Sequence, residues 1–458
     1  MNEFSVNGQH VVVVGAARSG VAAAELLVSR GARVTLSDAQ ETFAEADRLR
    51  RAGVTLDLGG HSDGVFDEAD LIVLSPGVPA DLPAIEAART RGVPVIGELE
   101  LAWRWLKGRV IAITGTKGKS TTTTLTGRML QAAGLPAVVG GNIGAALSAQ
   151  VDASTPETLH VVEVSSFQLE TADTFHPWIA VLMNFSADHL DRHGTLEAYG
   201  AAKARIFAHQ TEGDWAVVNA DDASAADLAR GHKARRFDFS RRAAIDEGIV
   251  VSDNAVARRT KGEDEPLLPL SSIRLIGPHL VDDVLAATAV GSLVGVPVEA
   301  MRQAIEEFQG LEHALEAAGE VGGVRFVNDS KATNIEAARR ALESFDRDVV
   351  AIIGGRFKGG DLRDLRDAAA GRVTAIVAIG EAKAMVREAL GDQAPVYDAE
   401  TMGDAVRSAF AAATPGGVVL LAPACASFDM FKDYAERGRI FKEEVRRLGD
   451  EWSTRREQ

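Results

Sequence analysis

Short runs of aliphatic and β-branched residues alternate with stretches of helical periodicity along most of the chain, the pattern of parallel α/β domains. Val11–Val14, Arg33–Ser37 and Leu71–Leu74 predict buried strands, with helices beginning near Ser19 and Phe43 between them. A hinge-like stretch around Gly92–Glu98 follows, and Arg109–Thr114 opens a second region with strands at His160–Val164 and Trp178–Asn184. The polar stretch Arg241–Pro269 reads as a β-rich insertion or exposed loops. A third region restarts near Leu311, with strands at Val324–Val327, Val349–Ile353, Val373–Ile379 and Val418–Leu421. A charged helix from Phe428 to about Leu448 is expected to close it, with a polar end at Ser453–Gln458 that frays.

Length agrees with this division, since 458 residues at roughly 150 per domain suggest about three domains. The expected boundaries are 1–98, 99–310 and 311–458. Hydrophobic residues at 46% and charged residues at 25% fit a globular enzyme rather than a disordered chain. The net charge of −16, from 65 acidic against 49 basic residues, and the lack of a basic stripe argue against a nucleic-acid partner. Any phosphate site must therefore be built locally. Cys425 is the only cysteine, which excludes an intrachain disulfide and suits a reducing compartment. Met1–His10 lacks a signal-peptide layout, and apolar runs such as Val11–Val14 fall far short of the ~20 residues that span a bilayer. A cytoplasmic protein without a membrane partner is expected.

The most informative segment is Ile111–Thr121, where an apolar strand enters Gly115-Thr116-Lys117-Gly118-Lys119-Ser120-Thr121 and a helical pattern follows at once. Such a loop turns backbone N–H groups onto phosphate oxygens, and the helix N-terminus adds its positive dipole end. Lys119 would neutralise the β/γ-phosphates of ATP and the Ser120 hydroxyl would ligate Mg²⁺. Ile113 stands where strict Walker spacing has a glycine, so the loop is a variant starting at Gly115. Glu163 sits near the end of one predicted strand and His189 after the next, with Lys203 on the helical pattern beyond. Ligands of open α/β sheets gather at such strand ends, and a carboxylate there suits Mg²⁺. Taken singly, each of the three is more often a solvated or structural residue.

Near the N-terminus, Gly15-Ala-Ala-Arg-Ser-Gly20 with Asp38 after the second strand resembles a dinucleotide fingerprint, but Ala17 replaces its middle glycine. An NAD-dependent oxidoreductase, the main alternative, rests almost wholly on that fingerprint and leaves the phosphate loop without a role.

The TGTxGK[ST] loop resembles those of the Mur ligases and the folylpolyglutamate synthases. With Glu163, His189 and the Tyr199-Gly-Ala-Ala-Lys203-Ala-Arg205 segment in order, the resemblance to the Mur ligases becomes close and runs from about Val11 to Phe441. It implies a Rossmann-like UDP-binding domain, a central P-loop ATPase-like domain and a Rossmann-like C-terminal domain. It also implies a monomer acting on small molecules. Lys119, Glu163, His189 and Lys203 would be catalytic, with two Mg²⁺ held by Ser120, Glu163, His189 and a CO₂-derived carbamate on Lys203. Arg18, Ser19, Asp38, Ser75, Pro76, Gly77 and Asn142 match positions on the UDP substrate. Asp329 and Lys331 join Gly115–Thr121 on the ATP side.

Thr333, Lys358, Ser427 and Phe428 match positions that hold D-glutamate. They lie in Asn328-Asp-Ser-Lys-Ala-Thr-Asn334, Gly354–Asp361 and Ala422–Asp429. The resemblance is greatest to the member that adds D-glutamate to UDP-N-acetylmuramoyl-L-alanine, forming an acyl phosphate and then an amide in peptidoglycan precursor synthesis. Two stretches depart from the family pattern: His279-Leu280-Val-Asp-Asp283 replaces His-Asn-x-x-Asn, and His313-Ala314 replaces His-Arg.

Overall fold

The computed structural model describes residues 4–62, 64–273 and 279–457, and they fall into two units. The first reaches to Ile273 and takes in Leu280–Glu307; the second runs from Phe308 onward.

The first unit opens with a parallel sheet of β1 (His10–Val14), β2 (Arg33–Asp38), β3 (Thr55–Leu58), β4 (Leu71–Leu74) and β5 (Val95–Gly97), in the order β3-β2-β1-β4-β5. Its central strands β1 (from Val11) and β4 are continuously apolar because both faces are covered. Val11 and Val13 pack on one side with Leu36 and Val73, and Val12 and Val14 on the other with Ile72 and Leu74. The hinge expected at Gly92–Glu98 is not one. Val95–Gly97 pairs with β4 as the edge strand, and the helix Glu98–Trp103 begins at once. Three residues with two apolar side chains are too short to show strand periodicity, and only pairing with β4 makes them a strand.

A second parallel sheet follows: β6 (Arg109–Thr114), β7 (Ala137–Gly141), β8 (Leu159–Glu163), β9 (Ile179–Leu182), β10 (Trp215–Val218) and β11 (Arg235–Arg236). Its order, β11-β10-β9-β6-β8-β7, places β6 centrally between β9 and β8. The polar stretch forms a separate small sheet of β12 (Asp238–Ser240), β13 (Glu247–Ser252), β14 (Ala255–Thr260) and β15 (Glu263–Pro269), antiparallel beyond β13.

The second unit is built on β16 (Glu316–Val321), β17 (Val324–Asn328), β18 (Val349–Gly354), β19 (Val373–Ile379), β20 (Val396–Asp398) and β21 (Val418–Leu421). Their order is β16-β17-β21-β18-β19-β20, parallel except for β16. Alternate residues of β18 enter the two cores, Ala351 and Ile353 on one face, Val350 and Ile352 on the other. The last helix spans Tyr434–Glu457 rather than starting at Phe428. Met430 and Phe431 donate to the Ser427 carbonyl in a turn, and Asp433 Oδ1 accepts from Glu436 N (2.7 Å), delaying the helix start. The helix runs on through Ser453 to Glu457, with Trp452 packed edge-on against Phe410 (5.2 Å), while Gln458 lies outside the described residues. Among the described residues no helix is long and apolar enough to cross a membrane.

Candidate functional site

The phosphate loop leaves the carboxyl end of the central strand β6 and runs straight into the helix Lys119–Ala132. Gly118 is left-handed (φ +81°), and a Cβ there would lie 2.2 Å from Asp283 Oδ1, so both conformation and space require glycine. Asn184, at the end of the neighbouring β9, clamps the loop. Its carbonyl accepts from Thr116 N (3.1 Å), and its Oδ1 accepts from Lys117 N (2.8 Å). Lys119 Nζ donates to the carbonyls of Gly115 (3.0 Å) and Thr116 (2.9 Å), while Ser120 and Thr121 stand in the first helical turn. All seven loop residues expected from the sequence are thus in one strand–loop–helix turn.

Lys203 reaches the same loop from the helix Leu196–Ala204. It is 1% exposed, its Nζ donates to Gly115 O (2.8 Å), and it lies 4.7 Å from the centre of the Tyr199 ring. Burial, reinforced by Lys119, pulls its pKa down to about 6, so the amine is neutral at pH 7. Glu163 ends β8, buried; Oε1 accepts from Asn142 Nδ2 (2.7 Å), whereas Oε2 is buried with no hydrogen-bond partner. His189 is half exposed in a left-handed conformation (φ 51°), 5.0 Å from the Phe167 ring centre.

Among the described residues no three His, Cys, Asp or Glu side chains cluster closely enough to hold a metal. The donor set nonetheless fits a hard cation such as Mg²⁺, because the orphaned Glu163 Oε2 is an oxygen ligand needing a partner.

Sequence reasoning passed over Asp188 and His193 beside this group. Burial works to raise the Asp188 carboxyl, but Lys117 (3.3 Å) and His189 outweigh it and hold it below the usual range. His193 lies 3.0 Å from Glu170 and 2.9 Å from Ser166 Oγ. The polar cluster after a strand, Ser186-Ala-Asp-His-Leu-Asp191, was the available signal.

The residues expected on the UDP substrate line the carboxyl ends of β1, β2 and β4. Asp38 accepts from Ala16 N (2.5 Å) and Gln40 N (2.7 Å), so it fastens the turn after β1. Ser75 Oγ donates to Gly15 O (3.0 Å); Ser19 is half-buried in the helix Arg18–Ser29, and Pro76 and Gly77 follow Ser75 at the surface. Arg18 Nη2 donates to Asn142 O (2.9 Å). Through Asn142, that arginine is joined to Glu163 in one polar chain.

Of the departures, Asp283 is fully buried against the phosphate loop, with Thr121 and Thr122 beside it. Burial, aided by Asp282, raises its pKa well above the usual carboxylate range, which favours the protonated carboxyl. Leu280 is half-buried in the same helix, and Ala314, in the second unit, donates its N–H to Leu311 O (3.1 Å).

In the second unit Asp329, Lys331 and Thr333 follow β17, Ser427 and Phe428 follow β21, and Lys358 follows β18. These three strands are neighbours, so their loops share one end of the sheet. Asp329 is buried, accepts from Leu315 N (3.2 Å), and is pushed up to about 7 by burial against the opposing pull of Lys331. Ser427 is buried, Thr333 is half-buried, and Lys331, Lys358 and Phe428 are exposed, Phe428 by 64%.

Sequence models of three domain families match the chain: a Mur ligase MurD-like N-terminal domain over residues 9–97, a Mur ligase middle domain over 113–291, and a Mur ligase glutamate ligase domain over 315–425. A UDP-N-acetylmuramoylalanine--D-glutamate ligase of Acidobacterium capsulatum is 48% identical, covering 96% of this chain and 97% of its own. The enzyme of the same name from Koribacter versatilis is 45% identical over 98% and 99%. Among solved structures, the UDP-N-acetylmuramate-alanine ligase of Thermotoga maritima shares the fold, with a TM-score of 0.59, 20% identity, and coverage of 96% of this chain and 99% of that one. The pseudomurein peptide ligase type C of Methanothermus fervidus does likewise, with a TM-score of 0.56, 15% identity, and coverage of 96% and 100%. The chain belongs to the Mur ligase family, among its D-glutamate ligases.

Proposed function

We propose that this protein joins D-glutamate to UDP-N-acetylmuramoyl-L-alanine, using ATP. The substrate's alanyl carboxylate oxygen attacks the γ-phosphorus of ATP, the bond to ADP breaks, and an acyl phosphate forms. The D-glutamate nitrogen then attacks the acyl carbon, the carbon–oxygen bond to phosphate breaks, and the amine gives up a proton as inorganic phosphate leaves. The observation that carries this reading is the convergence of Lys119 and Lys203 on the carbonyl of Gly115, in the same unit as a buried Glu163 with one unpartnered oxygen.

In this reading region 1–98 binds the UDP part through Arg18, Ser19, Asp38 and Ser75–Gly77, with Asn142 from the next region. Region 99–310 binds ATP through Gly115–Thr121. Region 311–458 offers Thr333, Lys358, Ser427 and Phe428 to D-glutamate, and Asp329 and Lys331 to the nucleotide. Lys119 leaves its loop carbonyls to neutralise phosphoryl oxygens, and catalysis is chiefly positioning and charge neutralisation. Two Mg²⁺ ions, held by Ser120, Glu163, His189 and Lys203, would supply further neutralisation of phosphoryl charge.

Lys203 would take part as a carbamate: its neutral amine nitrogen adds to the carbon of CO₂ and releases a proton. That turns a buried amine into an anion suited to a cation.

The test is phosphate release from ATP and UDP-N-acetylmuramoyl-L-alanine with D-glutamate, L-glutamate, L-alanine or meso-diaminopimelate. Release with D-glutamate alone is expected. Equal release with another amino acid would assign the chain to a different step.

A further inference from the structure

Arg437, in the helix Tyr434–Glu457 of the second unit, is fully buried, yet it stands outside every role described so far. Its guanidinium donates from Nε to Ser330 Oγ (2.9 Å), from Nη2 to Ser330 O (2.9 Å) and from Nη1 to Cys425 O (3.1 Å). A Cβ on Gly355 would lie 3.3 Å from Nη1 and 2.2 Å from Ala426 O, so the loop after β18 packs on the same group with no room for a side chain. Ser330 follows β17, Cys425 follows β21 and Gly355 follows β18. One guanidinium therefore underlies all three loops that carry Thr333, Ser427, Phe428 and Lys358.

The acceptors are two carbonyls and a hydroxyl, none of them charged. Burial lowers the guanidinium pKa to about 10, which leaves it charged at pH 7, and burial raises the Cys425 thiol to about 11, which leaves it neutral. Asp429 is the carboxylate whose field reaches Arg437; its Oδ2 accepts from Glu381 N (2.9 Å), its Oδ1 is buried without a hydrogen-bond partner, and it forms no ion pair with the guanidinium. A buried charge without a close counter-charge is costly and needs a reason. Two reasons are available here: a fork that spans separate loops, and a positive potential beneath a site for an amino acid with two carboxylates.

We propose that Arg437 is a positioning residue for the amino-acid site, tying two of its loops together from below, packing under the third, and favouring a dicarboxylate above them. This rests on the D-glutamate ligase reading. Lysine cannot replace the fork, having a point charge without the planar donors that reach three acceptors.

The experiment uses the full chain, with steady-state phosphate release measured against each substrate in turn. Arg437→Lys is expected to raise the KM for D-glutamate about tenfold or more, the effect of one lost charge-assisted bond. The KM values for ATP and the UDP substrate should stay within about twofold of wild type. Ser330→Ala, which removes one acceptor and leaves the charge in place, should raise the D-glutamate KM less, and it carries the test alone if Arg437→Lys does not fold. Equal rises for all three substrates, or an unchanged D-glutamate KM in a folded variant, would overturn the proposal. A wild-type enzyme whose phosphate release ignores D-glutamate would instead overturn the ligase reading itself.

Discussion

The loop proposed for phosphate in the first unit and the loops proposed for the amino acid in the second both sit at carboxyl ends of parallel strands, yet their titratable groups are placed differently. Around Gly115 the titratable groups are packed inward: Lys203 is buried, Lys119 folds onto loop carbonyls, and Asp283 is fixed under Gly118. In the second unit Lys358 and Phe428 project into solvent, and rigidity comes from beneath, through Arg437. A site that handles phosphoryl chemistry gains from low dielectric, which strengthens each charge it retains. A site that selects an amino acid needs its side chains accessible, and it obtains precision from the loops that carry them.

The largest effect should come from breaking the inward-packed site. Lys203→Ala is expected to reduce kcat by about 10²–10³-fold, as removal of one preorganised transition-state group does elsewhere. Acetate at high concentration should restore part of it. Full activity in the variant, checked by phosphate release, would remove Lys203 from the mechanism.

The exposed site should respond in KM instead. Lys358→Ala is expected to raise the KM for D-glutamate by roughly 10- to 150-fold, from a lost charge-assisted bond of ~1.5–3 kcal/mol. Because Lys358 is exposed, the melting temperature should hardly move. An equal rise for the UDP substrate would mean that the contrast between the two sites is false.

A pH series sharpens the comparison further. With the folded pKa of Lys203 at about 6 against 10.5 normally, the native amine is neutral above pH 6 while the unfolded one stays protonated to about 10.5. Burial of Lys203 therefore destabilises least at high pH, and its stability contribution rises as pH climbs through that window. Uptake of labelled bicarbonate into CO₂-stripped enzyme should be strong at pH 7–8 and fall below pH 6. Uptake that ignored pH between 5 and 8 would place the carbamate elsewhere.

The smallest effect concerns Asp283. Its raised pKa means that the native state holds a proton the unfolded state releases, so stability from this group falls as pH rises above the ordinary carboxylate value. Asp283→Asn removes that dependence. The melting temperature is expected to rise at pH 8, with little change at pH 4. A drop at both pH values would show that the site holds the carboxyl through contacts that the amide does not reproduce.

Much of this was legible in the chain itself. Val11–Val14, Arg109–Thr114 and Val373–Ile379 read as strands because a parallel sheet covered on both faces demands unbroken apolar runs. Thr55–Leu58, Ala137–Gly141 and Val95–Gly97 were missed, being short or polar strands whose pairing supplies what their sequence lacks. Gly115–Thr121 could be picked out because phosphate chemistry restricts residue type and spacing, whereas Glu163, His189 and Lys203 stood out together only through the family resemblance. The identity of the acceptor for Lys203, the packing of Asp283 under Gly118, and the reach of Arg437 across three loops could not be read this way. Gly115 lies 88 residues from Lys203, Gly118 lies 165 from Asp283 and Ser330 lies 107 from Arg437, separations that local periodicity does not register. Residue chemistry and strand pattern were set by sequence; which charges are buried, and therefore which are neutral, was decided only when distant strand ends were brought together and water was removed from between them.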